Sequence, residues 1–350
     1  MTKRRPGLRV AVVGATGMVG YVLLERLAAR RFPVGELIPF SSGRRRSSVR
    51  FQGRTINAPG VDLKSLMSAD LVFLVSSDEV SARYGKRLAQ AGVWVIDDSS
   101  KFRMDPDVPL VIPLVNADEL SPNKRLIAGP NCTTSGLAVA CRPIHRRAKA
   151  RRVRIASYQA VSGAGREPLL EFYSQIRRGA KALTGARLLP RLPKEKARAF
   201  PEPIAFSLFP HVGKFDKNGD SGEETKVRRE LRRLWGAPGL EVSATTVRLP
   251  VIRGHSLAVW IETAKPVTPG TARSWLRNAP GVRLWKEPRY PTVHSTAGTD
   301  PVHVGRVRRS GTGSRELALW IVSDNLLIGA ALNSIHIAEH LLKKGWLRPR

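Results

Sequence analysis

Cysteine is almost absent from this chain. Its 350 residues include two, Cys132 and Cys141. That is too few for a disulfide framework and points to a reducing compartment. Acidic residues are also scarce: 28 Asp and Glu face 59 Lys and Arg, a formal net charge of +31 at pH 7. Such an excess attracts anions, whether nucleic acid, acidic lipid or small phosphorylated substrates, and composition does not choose among them. No apolar run approaches the ~18 residues of a spanning helix. Lys3, Arg4 and Arg5 ahead of an apolar run from Val10 imitate a secretory signal. However, Gly14, Gly17 and Gly20 interrupt the run, residues 21–27 turn amphipathic, and no small-residue cleavage site follows. A cytoplasmic protein without a membrane partner is expected. Internal repeats and low-complexity tracts are missing, and Gly and Pro usage is ordinary, which excludes collagen, coiled coil and mucin-like stalk.

What is present is a 42% hydrophobic composition, enough for full cores, and a length suited to two domains at roughly 150 residues each. Short apolar runs at 9–13, 36–40, 71–75, 93–96 and 126–128 alternate with helical stretches, notably from the Gly-rich turn to about 30 and at 80–91. This pattern predicts a parallel sheet covered on both faces, a Rossmann-type doubly wound α/β domain in residues 1–130. After Cys132 the strands lengthen, at 153–160, 245–251, 256–262 and 316–322, with helices at 168–178 and 223–234. They predict an α+β second domain over 131–325, with a sheet face left for packing or dimerisation. Residues 183–222, rich in Pro, Gly and charge, read as a long excursion. The final helix, 326–342 with its tail to 350, is expected to complete the first domain.

Gly14-Ala15-Thr16-Gly17-Met18-Val19-Gly20 lies between the first strand and first helix. Glycines there let backbone approach a pyrophosphate, whose charge the helix N-terminus favours, so Gly14, Thr16, Gly17, Met18 and Val19 are candidate dinucleotide contacts. The spacing departs from G-x-G-x-x-G, and a structural turn is the other reading. Past the second strand comes Phe40-Ser41-Ser42-Gly43-Arg44-Arg45-Arg46, with no acidic residue to hold ribose hydroxyls. Ser42 and Arg44 suit a 2′-phosphate and so NADP; a solvated basic loop is the alternative. Cys132 lies in Gly129-Pro130-Asn131-Cys132-Thr133-Thr134-Ser135-Gly136, between strand 126–128 and a helical run expected near Leu137. A cysteine at a helix N-terminus gains thiolate character, though a buried structural cysteine fits the spacing equally. Cys141, after an apolar run, reads as a small buried residue. His336-Ile337-Ala338-Glu339-His340 matches the short H-x-x-E-H pattern, but only three positions are fixed and no third ligand follows, so no metal site is expected.

Taken in order, Asn131-Cys132-Thr133-Thr134, Ser157-Tyr158-Gln159-Ala160-Val161-Ser162-Gly163-Ala164-Gly165 and Arg253-Gly254-His255-Ser256 resemble the motifs of aspartate-β-semialdehyde dehydrogenases. The resemblance extends to Asp98-Ser99-Ser100-Lys101-Phe102-Arg103-Met104, Glu223-Glu224-Thr225-Lys226, Asp300-Pro301-Val302-His303-Val304-Gly305-Arg306 and Ser323-Asp324-Asn325-Leu326, covering nearly the whole chain. It implies Cys132 as nucleophile, His255 as general acid/base and Gln159 orienting the acyl group. Asn131 would lie beside the reacting centre. Arg248 would clamp the substrate carboxylate, Glu223 its ammonium, and Arg103 and Lys226 phosphate. It implies NADP contacts that include Ser162, Gly163 and Asn325. The implied activity is NADPH-dependent reduction of L-aspartyl 4-phosphate to aspartate semialdehyde, in lysine, methionine, threonine and isoleucine biosynthesis, by a homodimer or homotetramer. The chemistry of the residue types agrees. An acyl phosphate needs a soft nucleophile, cations for two anionic groups, and an imidazole that moves a proton near its reference pKa of ~6.5.

Two positions depart from the family pattern: Asp97-Asp98 where Asp-Asn is usual, and Leu327-Ile328 where a basic residue commonly follows. Arg248 and His255 are an odd number of residues apart, which on one regular strand sends them to opposite faces. Pro250 and Gly254 between them predict a break. Two rival functions remain: an N-acetylglutamyl-phosphate reductase, which Glu223 and Gln159 speak against, and a nucleic-acid-binding protein on an enzyme scaffold. The basic clusters 146–154 and 228–233 motivate the second, but no nucleic-acid-binding module accompanies them.

Overall fold

Five short apolar runs, β1 (Leu8–Val13), β2 (Val34–Phe40), β5 (Leu71–Leu74), β6 (Trp94–Asp97) and β7 (Leu126–Ala128), form one sheet in the order β2-β1-β5-β6-β7. Every pairing in it is parallel, and all four residues of β5 and of β6 are buried. The structure, a computed structural model, describes residues 7–183, 197–311 and 313–350. Lys3, Arg4, Arg5 and residues 184–196 of the excursion therefore lie outside the described residues.

The contacts divide the chain into two compact units. The first comprises Met1–Val139, Glu230–Ala237 and Leu326–Arg350; the second comprises Ala140–Arg229 and Pro238–Asn325. In the first unit, Leu23 and Leu27 of the helix Met18–Ala29 join Phe73, Ile96, Leu332, Ile335 and Leu341 in one buried core. Each such side chain contributes roughly 1.5–3 kcal/mol on burial. Arg30 makes a bidentate ion pair with Glu339, so the acid of the H-x-x-E-H stretch serves packing at this helix.

Two features of the first unit differ from expectation. Ser48–Phe51 (β3) and Arg54–Asn57 (β4) form a hairpin where no strand is expected. Its turn, Gln52-Gly53, takes positive φ at both residues (48° and 80°), as a two-residue hairpin turn requires. The final helical stretch opens with a π-helical turn, Leu327–Ala331, before the α-helix Leu332–Lys343. A Cβ at Gly329 would stand 2.6 Å from the Cys132 Cβ, so the turn brings bare backbone against the cysteine.

The second unit holds six strands, β8 (Ala150–Gln159), β9 (Glu241–Arg248), β10 (His255–Thr263), β11 (Val282–Leu284), β12 (Val302–Arg309) and β13 (Glu316–Ser323). They form one mixed sheet in the order β11-β12-β13-β10-β8-β9. β10 runs antiparallel to β8 and β13, while β8 and β9 are parallel. Alternation along β8 buries Val153, Ile155 and Ser157 on one face and leaves Arg154, Ala156 and Tyr158 on the other. Among the described residues no helix is long and apolar enough to cross a membrane.

Candidate active site

The turn after β1 depends on glycine at two positions. Gly14 has φ +90° and lies so near β5's end that a Cβ would sit 2.4 Å from the Val75 carbonyl oxygen. A Cβ on Gly20 would meet the Gly14 carbonyl oxygen at 2.2 Å. The helix Met18–Ala29 starts after Gly17 with no side-chain cap, so its first N–H groups are left for an anion. Thr16, Met18 and Val19 are half-buried around this turn, and Ser42 and Arg44 are exposed just beyond β2. Ser41 pins that loop by donating to the Ala58 carbonyl and accepting from the Gly43 amide. An uncapped helix start at this glycine turn fits a dinucleotide.

Cys132 is the first residue of the helix Cys132–Ala148, five residues earlier than the expected start near Leu137. The reason is a cap: the Asn131 side-chain oxygen accepts from the amides of Thr133 and Thr134, at 2.8 and 3.2 Å. The polar run that resembles a loop is therefore a helix start. The Asn131 side chain serves that cap, and the Asn131 backbone amide donates to Glu230 at 2.6 Å.

Arg103, expected to bind phosphate, is buried and held from three sides. It donates to the carbonyls of Gly129 and Asp98 and to the Glu230 carboxylate, the last at 3.1 Å. Burial opposes its charge, but Glu230, Cys132 and Asp98 nearby overcome this and raise its pKa. Three of its five N–H bonds are thus committed, leaving two for another acceptor. The serines of 98–104 are bound within the protein: Ser99 to Asp97 and Ser100 to Asp78. Burial raises the Asp97 carboxyl above the ordinary range and pushes Asp98 up to about 6.

In the second unit, β9 ends at Arg248 and β10 begins at His255, so the predicted break is present. Gly254, with φ +93°, turns the chain, and its amide donates to the Asn325 side chain at 2.8 Å. The break makes Gln159 a cross-strand partner of His255 on one side and of Arg248 on the other. Gln159 is buried and donates to Glu223 and Ser157, each at 3.1 Å. Arg248 donates to the Ala160 carbonyl at 2.7 Å. Gly163 closes the group: a Cβ there would lie 2.8 Å from Arg248 Nη1 and 3.2 Å from the His255 ring. Asn325 and Ser162 hydrogen-bond to each other, bracing the turns beside His255. Lys226 is half-buried on the helix Gly222–Leu234.

His255 differs from its expected chemistry. Burial, with Arg248 beside it, pushes its pKa down to about 3, far from the near-neutral midpoint anticipated. Its Nδ1 accepts from the Ala160 amide at 3.1 Å, which places the ring proton on Nε2. The ring is a neutral Nε2–H donor.

Sequence reasoning missed Glu230, which joins Arg103 to Asn131. A signal for it existed, because Glu230 stands two helical turns after Glu223 and so shares its face. Among the described residues no group of three or more His, Cys, Asp or Glu is disposed to hold a metal ion.

Residues 9–122 match the semialdehyde dehydrogenase NAD-binding domain and 141–328 the semialdehyde dehydrogenase dimerisation domain. The chain is 40% identical to an aspartate-semialdehyde dehydrogenase of Shewanella violacea, covering 95% of this chain and 97% of the relative. It is 40% identical to that of Aquifex aeolicus, covering 97% and 99%. The crystal structure of aspartate semialdehyde dehydrogenase II from Vibrio cholerae superposes with a TM-score of 0.90 at 36% identity, over 96% and 99% of the two chains. The chain belongs to the aspartate-semialdehyde dehydrogenase family, oxidoreductases built from this pair of domains.

Proposed function

We propose that the protein reduces L-aspartyl 4-phosphate to aspartate 4-semialdehyde with NADPH, releasing phosphate, in the biosynthesis of aspartate-derived amino acids. The thiolate of Cys132 attacks the acyl carbon. The C–S bond forms, the C–O bond to phosphate breaks, and phosphate leaves with the bonding pair. Arg103 and Lys226 receive phosphate, Arg248 the substrate carboxylate and Glu223 its ammonium. Gln159 orients the acyl group. Gly14, Thr16, Gly17, Met18 and Val19, with Ser162, Gly163 and Asn325, would hold NADPH, which would supply the hydride that reduces the thioester. His255 donates its Nε2–H to the oxyanion then formed on the Cys132-linked carbon. When the C–S bond breaks, aldehyde departs and the thiolate returns. Ser42 and Arg44 support NADP over NAD.

The observation that carries this reading is the buried set around Gln159, with Arg248 and His255 as its strand neighbours and Glu223 on its amide. A cation, an anion and a neutral imidazole beside one amide suit an amino-acid substrate. The family's dimerisation domain and the row Tyr158, Trp260 and Trp320 on one sheet face support a homodimer. The test is the reverse reaction: aspartate semialdehyde, phosphate and NADP should give NADPH, and N-acetylglutamate semialdehyde should not substitute. Wild-type turnover in Cys132→Ser would overturn the mechanism.

A further inference from the structure

A glutamate that is 1% exposed needs strong partners, since a buried carboxylate without them loses its hydration with nothing in return. Two of Glu230's partners come from separate segments. One oxygen accepts the Asn131 amide at 2.6 Å, immediately before the cysteine, and the other accepts Arg103 Nη1 at 3.1 Å. One turn further along the same helix, Arg233 donates to the backbone carbonyls of Arg103 and Val108, at 2.6 and 2.7 Å. The helix thereby grips the Arg103 segment by both side chain and backbone. Glu230, Cys132, Asp98 and Asp97, all in the first unit, act on Arg103. The guanidinium therefore stands within electrostatic reach of the sulfur.

We propose that Glu230 is a positioning residue of the reaction centre: its single carboxylate sets the Arg103 guanidinium and the Asn131 amide in fixed register beside Cys132, and offsets part of the positive charge that Arg103 brings to the sulfur. The inference rests on the reading of Cys132 as nucleophile. A glutamine at 230 keeps the size and one acceptor for the Asn131 amide, but presents an NH₂ group to Arg103. The guanidinium then loses its anion and its anchor together. A purely structural glutamate would make no such distinction between charge and shape.

The test compares full-length wild type, Glu230→Gln and Glu230→Asp by the pH dependence of iodoacetamide alkylation at Cys132, read on the Cys132 peptide. Cys141 does not interfere, because burial pushes its thiol up to about 12. In Glu230→Gln, uncompensated Arg103 charge should lower the alkylation midpoint by roughly half a pH unit or more. The KM for phosphate in the reverse reaction should rise roughly ten-fold as Arg103 loses its place. Glu230→Asp keeps the charge but is too short to bridge both partners. Its midpoint should stay near wild type while its phosphate KM rises. An alkylation midpoint that is unchanged or raised in folded Glu230→Gln, or an unchanged phosphate KM, overturns the proposal. If the glutamine variant does not fold, an unchanged phosphate KM in Glu230→Asp overturns it. A wild type without reductase activity would contradict the proposed function instead, and the alkylation comparison would still read out.

Discussion

Replacing Asp98 by asparagine should make the protein more stable at neutral pH, although a native buried carboxylate is removed. One oxygen of Asp98 accepts from Ser334 at 2.6 Å, while the other is buried with no hydrogen-bond partner among the described residues. The Asn333 side-chain oxygen is in the same position, and both residues flank Gly129. Burial raises the Asp98 midpoint from 3.8 to about 6, with the neighbouring Asp97 charge adding to it and Ser334 and Arg103 opposing it. At about 1.4 kcal/mol per pH unit, the ionised form destabilises the fold by about 3 kcal/mol. Because the folded midpoint lies above the unfolded one, the penalty is absent below pH ~4, grows up to pH ~6 and is complete above that. Asparagine keeps the acceptor for Ser334 and removes the charge. Thermal unfolding of both proteins from pH 4 to 8 should show no difference at the acid end and a gain on the order of 5 °C for Asp98→Asn at pH 8. A variant less stable than wild type at pH 8, or a difference independent of pH, would refute the reasoning.

His255 should stay neutral in the free enzyme down to about pH 4, so kcat/KM should lack a His255 ionisation between about pH 5 and 8; a limb near 6.5 that disappears in His255→Gln would contradict this. Gly163→Ala should fold normally yet lose roughly ten-fold or more in kcat/KM, because its methyl group displaces Arg248 and the His255 ring; wild-type kinetics would show that the close approach has no consequence. Arg44→Ala should raise the KM for NADP roughly ten-fold and leave that for NAD unchanged; equal effects on both cofactors would remove Arg44 from the 2′-phosphate site.

Much of the fold was legible because it rests on local signals. The continuous apolar runs of β1, β5 and β6 report burial on both faces, and Pro250 with Gly254 announces the break between Arg248 and His255. The β3–β4 hairpin escaped because Gln-Gly is a weak turn signal and its strands are half polar. The early helix start escaped because Asn-Cys-Thr-Thr reads as a loop until the Asn131 cap is seen. The departure of His255 from the expected near-neutral midpoint could not be read from sequence, because its neutrality comes from burial against Arg248, a tertiary fact that no reference pKa contains. Glu230 was missed for the same reason, since its partners are about 100 residues or more away in sequence.

The most direct measurement of the central claim is to catch the acyl group on the cysteine. Wild-type protein mixed with aspartate semialdehyde and NADP without phosphate should give a burst of NADPH stoichiometric with active sites. Peptide mass analysis after acid quench should place an aspartyl adduct on Cys132, discharged when phosphate is added. NADPH formation with no adduct on Cys132, or an adduct that phosphate fails to release, would contradict the account.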